Sequence, residues 1–233
     1  MTEEEITKKQ NTITELLFNP FKKMSNNQLL FFGLGIILIS GILNTISNTH
    51  FDGIFDIHTG KESPFWVFIA EGFINLILIT LIFFIIGKFI LKAECSLRDI
   101  LSQQAFARWP LILSSLIALS NSYQDYIQSL SVRIAQNPGS ILGPDTGQNI
   151  LFIISIAIFI IIYIWIFFLM YKSVSRTLKI SGIKGVGIFL AGCLIIEILS
   201  KLVILNFISP SWHLKTVASQ FKILYYQSAR QIL

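Results

Sequence analysis

The chain has 233 residues, of which 53% are apolar and only 13% are charged, and its mean hydropathy is +0.69. Soluble globular domains carry about 25% charged residues, so this composition excludes an ordinary soluble domain and indicates a membrane protein. The formal charge of +5 would also suit nucleic acid. Lys and Arg at the ends of membrane spans are the commoner cause of such a charge, and we expect no nucleic-acid partner.

Residues 1–27 form a polar segment that is predicted to be a cytoplasmic N-terminal tail. Thr2 and Glu5 have the spacing of a capping box, which favours a short helix, and Asn19-Pro20 ends that helix. The acidic start of the tail is the opposite of the basic region that opens a cleaved signal peptide. We therefore expect the first span to act as an uncleaved insertion signal.

Residues 28–210 are predicted to be one membrane domain, because five apolar segments follow one another there. A helix needs about 20 apolar residues to cross a hydrocarbon core of about 30 Å. The predicted spans are residues 29–46, 65–91, 109–123, 150–171 and 186–208. The third is short and serine-rich, so hydropathy alone does not decide it. Residues 211–233 place apolar side chains near helical spacing among Lys and Gln, which predicts a C-terminal amphipathic surface helix.

The distribution of positive charge decides the doubtful third span. Of the 18 Lys and Arg residues, twelve belong to the first, third and fifth segments between spans, counting Arg108 and also Lys88 at the end of the second span. Five belong to the other segments, and Lys201 lies inside the fifth span. Cytoplasmic segments of membrane proteins carry the excess of Lys and Arg, so the chain must cross an odd number of times between Lys92 and Ile150. The prediction is an all-α integral membrane bundle of five transmembrane helices, with the N-terminus cytoplasmic and the C-terminus outside.

Three stretches of sequence resemble a known family. They are residues 17–22 (LFNPFK), residues 98–111 (RDILSQQAFARWPL) and the end of the fourth span with its basic loop at residues 163–182. With the five-span layout, they resemble the prokaryotic branch of the Yip (Ypt/Rab-interacting protein) domain family. The resemblance implies a membrane domain over nearly all of the chain. Eukaryotic members resemble vesicle-trafficking scaffolds, but their Asp-Leu-Tyr-Gly-Pro phrase is absent here, so the resemblance does not imply GTPase binding.

Four polar residues of the second and fifth predicted spans, Glu71, Asn75, Glu197 and Lys201, have matching depths, and we call them the polar seam. At about 1.5 Å per residue, Glu71 and Lys201 both lie about 9 to 10 Å below the outer boundary, and the other two about 15 to 16 Å. An isolated charge near the midplane costs about 2.5 to 3.5 kcal/mol, so a seam shared by the two helices would relieve that cost. The seam is either an ion or proton pathway, or packing in which Glu197 pairs with Lys201.

The loop between the first two spans holds His50, Asp52, Asp56 and His58 in a nearly symmetric order. Two imidazoles and two carboxylates could in principle bind zinc or another divalent cation. Their spacing matches no established metal signature, and polar residues are ordinary in a loop beside a membrane. We therefore expect no metal and leave the question open.

The sequence contains no cofactor fingerprint and no catalytic motif, so we expect no enzyme and no cofactor. The leading hypothesis is a non-enzymatic scaffold or partner-binding protein of membrane organisation, with the lipid bilayer, membrane-protein partners or self-association as its contacts. The alternative is a small transporter or channel component that uses the polar seam, and a membrane-embedded enzyme comes third. The expected location is a bacterial inner membrane, and a eukaryotic endomembrane is the alternative.

Overall fold

The computed structural model describes residues 14–60, 62–137, 142–143, 145–204 and 206. Seven α-helices make up most of this part of the chain, which agrees with the all-α prediction. They are α1 (Asn26–Ser47), α2 (Phe65–Ile85), α3 (Leu97–Ala107), α4 (Leu111–Ala118), α5 (Asn121–Gln136), α6 (Thr146–Leu178) and α7 (Gly182–Val203). The predicted capping box at Thr2 and Glu5 and the predicted helix at residues 211–233 lie outside the described residues.

Among the described residues, four helices are long and apolar enough to cross a membrane: α1, α2 with the π-helical turn that follows it to Ile90, α6 and α7. They correspond to the first, second, fourth and fifth predicted spans. Helix α1 begins with a capping box, in which the Gln28 N–H donates to Ser25 Oγ and the Ser25 N–H donates to Gln28 Oε1. At its other end, Asn48 adopts a left-handed conformation with φ of 49° that stops the helix.

The third predicted span, residues 109–123, does not form one helix, and the structure corrects its bounds. Arg108 and Trp109 lie in a turn, Pro110 precedes α4, and Ser120 separates α4 from α5. Proline has no amide hydrogen to donate back into a helix, which is why α3 does not run on into α4. The 11 residues of α3 and the 8 residues of α4 correspond together to about 28 Å of helix at about 1.5 Å per residue.

Helices α3 and α4 lie in the middle of the bundle, where α1, α2 and α6 pack around them. Their polar side chains therefore face protein. Ser102 and Gln104 are fully buried, and the Gln104 amide donates to the Met170 carbonyl at 3.2 Å and to Ser173 Oγ at 3.0 Å. This placement explains the weak hydropathy of the region, because a helix enclosed by other helices need not be apolar on every face.

The core is formed where α1, α2, α3, α6 and α7 meet. Phe83, Leu169 and Ile196 are fully buried within it. Small residues bring the helices close: Gly33 lies so near α3 that a Cβ atom there would be 2.5 Å from the Ala105 Cβ. Such close approach is how helices pack when lipid, rather than water, surrounds them.

Candidate functional site at the loop end of the bundle

The segment from Thr49 to Gly60 connects α1 to α2, and we call it the inward loop because it folds into the bundle between helices. Its ends pair as two short antiparallel strands, β1 (Thr49–His50) and β2 (His58–Thr59), with His50 opposite His58. The His50 ring stacks on the Phe68 ring with centroids 4.6 Å apart. The middle of the loop holds apolar residues at Phe51 and Ile54 that are almost fully buried.

Helix α2 binds the first half of the inward loop through two residues of the polar seam. The Glu71 carboxylate lies 2.7 Å from His50 Nδ1 and accepts the Phe51 N–H at 3.0 Å. The Asn75 amide donates to the Phe51 carbonyl at 2.7 Å. Because Phe51 is almost fully buried between helices, these side chains supply the hydrogen bonds that its backbone would otherwise lack.

Helix α7 binds the second half of the loop through Glu197. One carboxylate oxygen accepts the N–H groups of Ile54 and Phe55, at 2.7 and 2.9 Å. Gly53 lies directly against this carboxylate, because a Cβ atom there would be 2.5 Å from both oxygens. A larger residue would push the Glu197 side chain off the two amide groups, so glycine is required for the close approach.

Lys201 completes the contact between α7 and the loop. Its ammonium lies 2.7 Å from Asp56 Oδ2 and 3.4 Å from Glu197 Oε1. The predicted pairing of Glu197 with Lys201, four residues apart, is therefore present. Asp56 also lies 3.3 Å from His58 Nδ1 through its other oxygen.

The two halves of the polar seam meet through the loop and not directly. In the described part of the chain, no hydrogen bond or ion pair joins Glu71 or Asn75 to Glu197 or Lys201. The sequence predicts these four residues near two common depths but does not reveal their partners. These are the loop backbone at Phe51, Ile54 and Phe55 and the side chains of His50 and Asp56. The signal was present in the loop itself, where apolar residues alternate with Asp and Gly in a segment that a water-exposed connection would make polar.

The pKa values of the two loop aspartates move in opposite directions. Burial raises the pKa of Asp52, and the nearby charges of Asp56 and Glu71 raise it further, against the opposing effect of His58. Burial also acts to raise the pKa of Asp56, but the hydrogen bond from Lys201 and the charges of His58 and Lys201 outweigh it, so the pKa of Asp56 lies below its ordinary value. Asp52 therefore holds a proton more readily than Asp56.

Three of the four residues considered as metal ligands come together. Asp52, Asp56 and His58 each offer a ligand atom, and these atoms lie within 4.8 Å of one another. The Lys201 ammonium already contacts Asp56 at 2.7 Å and supplies one positive charge to the group. This ion pair shows that the protein itself supplies a positive charge to the acidic group. The absence of a metal stays a prediction.

Helices apolar enough to cross a membrane, joined by a loop whose backbone is bound by side chains inside the bundle, define a helical membrane protein. The match to known families agrees with this class. The family model described as the Yip1 domain matches residues 14–205, which is most of the chain, so the chain belongs to the Yip1 family. No curated protein and no solved structure matches it.

Proposed function

We propose that the protein is a non-enzymatic, multi-pass membrane scaffold that binds membrane-protein partners or further copies of itself, in a bacterial inner membrane. The observation that carries the proposal is the use made of the polar seam. All four of its residues bind the inward loop, either through the loop backbone or through Asp56. Groups that hold a loop in place have a structural role, whereas a transport route needs polar groups that can exchange partners with the transported ion.

The surface of α6 supports partner binding. This helix has 33 residues and the highest hydropathy of the four apolar helices, yet only 17% of its apolar window is buried inside the protein, compared with 39% for α2. An apolar helix face that the described part of the chain leaves uncovered must be covered by other apolar groups, such as those of lipid or of another membrane protein. At about 1.5 Å per residue it is about 50 Å long, so it also extends past a hydrocarbon core of about 30 Å.

The test separates the scaffold from the transporter with one substitution and one matched control. Glu197→Gln keeps the size of the side chain but weakens its hold on the two loop amides and on Lys201. Glu94→Gln removes a similar charge from an exposed position. We expect Glu197→Gln to reduce the amount of folded protein and its melting temperature, with a cost of about 1 to 3 kcal/mol, and Glu94→Gln to change neither.

Flux through liposomes that contain the purified protein is the second measurement. The scaffold predicts no proton or ion flux above that of empty liposomes for the parent protein. It also predicts that site-specific crosslinkers placed on the uncovered face of α6 capture defined membrane-protein partners or a second copy. A measurable flux that Glu197→Gln abolishes without loss of folded protein would instead establish the transporter.

A further inference from the structure

The side chain of Arg108 lies inside the bundle, although the sequence analysis counts it among the cytoplasmic cations that flank the third span. It is 4% exposed, in the turn between α3 and α4. Within the described residues, the guanidinium group has no hydrogen bond and no salt bridge. An arginine stays protonated in proteins, so a full positive charge is held there without a carboxylate partner from this part of the chain.

Arg108 lines a small cavity between α1, α2 and α4. The volume open to the centre of a water-sized sphere in this cavity is about 20 Å³. By the same measure about 10 to 15 Å³ is enough for one water molecule, so the cavity can hold one small particle. Ten residues line it, and Glu and Asp are absent from that lining. Ser40 and Asn44 lie on two successive turns of α1 that face the cavity. At about 1.5 Å per residue, they are about 20 to 27 Å along that helix from its first residue. The site is therefore far from the N-terminal end of the bundle.

Two further polar groups in the lining are buried without a partner. Ser40 is 7% exposed and Asn44 is 2% exposed, and both contribute to the cavity wall. Neither Ser40 Oγ nor Asn44 Oδ1 has a hydrogen-bond partner. Buried polar groups are almost always hydrogen-bonded, so two unsatisfied groups beside Arg108 around one small space indicate that something polar fills it.

The charge of the lining selects the kind of occupant. The guanidinium and the serine hydroxyl both donate hydrogen bonds, and the Asn44 amide can present its NH₂ group by a half turn about its last side-chain bond. A cation would be repelled by Arg108, and water would leave the charge uncompensated. We propose that this cavity binds one small monovalent anion of the size of chloride, held by Arg108, Ser40 and Asn44.

The experiment measures thermal unfolding of the purified full-length protein while sodium chloride replaces sodium gluconate at constant ionic strength. Gluconate is too large for the cavity, so only chloride should bind. We expect the melting temperature to rise with the logarithm of the chloride concentration above the dissociation constant, by about 5 to 11 °C once chloride reaches 100 times that constant. Equal melting temperatures in the two salts would overturn the proposal and leave a water-filled cavity.

Variants locate the effect. Arg108→Gln should abolish the chloride-dependent rise, whereas the matched control Arg176→Gln, which removes a charge from an exposed position on α6, should retain it. If Arg108→Gln does not fold, Ser40→Ala keeps the arginine and should weaken chloride binding about tenfold, while Ser155→Ala on the outer part of α6 should not. A chloride effect that survives in Arg108→Gln, or is unchanged in Ser40→Ala, would contradict the proposed site.

Discussion

At the scale of single residues, the polar groups inside this protein are placed to bind its own backbone. Glu71 and Glu197 accept three N–H groups of the inward loop between them, and Asn75 donates to a loop carbonyl. A carboxylate in a low-dielectric site is stabilised when it accepts such bonds. The same bonds allow an irregular stretch of chain to lie among membrane helices, where an unpaired peptide group would be costly.

The opposite pKa shifts of Asp52 and Asp56 predict opposite effects of neutralising each residue. At pH 7, Asp56→Asn should lower stability by about 0.5 to 1 kcal/mol, because it removes the partly exposed ion pair with Lys201. Asp52→Asn should leave stability unchanged or raise it, because it removes a charge that burial disfavours. Melting temperatures of both variants and the parent at pH 7 check this, and equal losses in the two variants would contradict it.

The pH dependence of the same melts follows from the signs of the shifts. The Asp56 pKa is lower in the folded state, so its contribution is present above the ordinary aspartate pKa of about 3.9 and is lost as the pH falls through the folded value. The Asp52 pKa is raised, so its penalty disappears as the pH falls through that raised value. The parent protein should therefore become more stable on mild acidification, and the Asp52→Asn variant should lack this gain.

At the scale of the helices, close packing through small residues determines which helices touch. Gly33 of α1 meets Ala105 of α3, whereas Gly35, two residues further along α1, has nothing within 4 Å of where its Cβ would be. The broken pair α3–α4 depends on this contact for its position against α1. The amide of its buried Gln104 is acceptable there because α6 provides two partners for it, and the buried Ser102 hydroxyl donates to the Asp99 carbonyl of α3 itself.

The two glycines of α1 provide a matched test of this packing. Gly33→Ala forces its Cβ to within 2.5 Å of the Ala105 Cβ and 2.6 Å of its backbone carbon, so the helices must separate at a cost of about 1 to 3 kcal/mol. Gly35→Ala meets open space and should be neutral or slightly stabilising. Melting temperatures of the purified variants compare the two, and an equal effect would show that the contact of α1 with α3 is unimportant.

At the scale of the whole molecule, the number of crossings depends on α3 and α4. Four helices qualify as spans by length and composition, and we propose that the α3–α4 pair is the fifth crossing. The helical residues of the pair correspond to about 28 Å, which is close to the thickness of a hydrocarbon core of about 30 Å. Because Arg108 is buried, the proposed cytoplasmic side has one cation fewer. It still carries more Lys and Arg than the opposite side.

A reporter-fusion map tests the proposed topology directly. With junctions after Ser96, Gln136, Ser181 and Leu233, we expect periplasmic activity at Gln136 and Leu233 and cytoplasmic activity at the other two. The physical reason is that an odd number of crossings separates Ser96 from Gln136. Activity at Gln136 on the same side as at Ser96 would mean that α3 and α4 do not cross, and it would place the two ends of the chain on one side.

The sequence by itself determined the membrane class and the positions of four apolar helices, because their length and hydropathy are local properties that each segment carries alone. Motif resemblance and charge likewise pointed to the family that the chain belongs to. Only the tertiary structure decided that the third segment is a broken pair of helices and that the polar seam binds the inward loop. It also decided that Arg108 is enclosed. Those outcomes depend on contacts between residues that are far apart in the chain. Hydropathy is summed over each segment separately and therefore contains no information on such contacts.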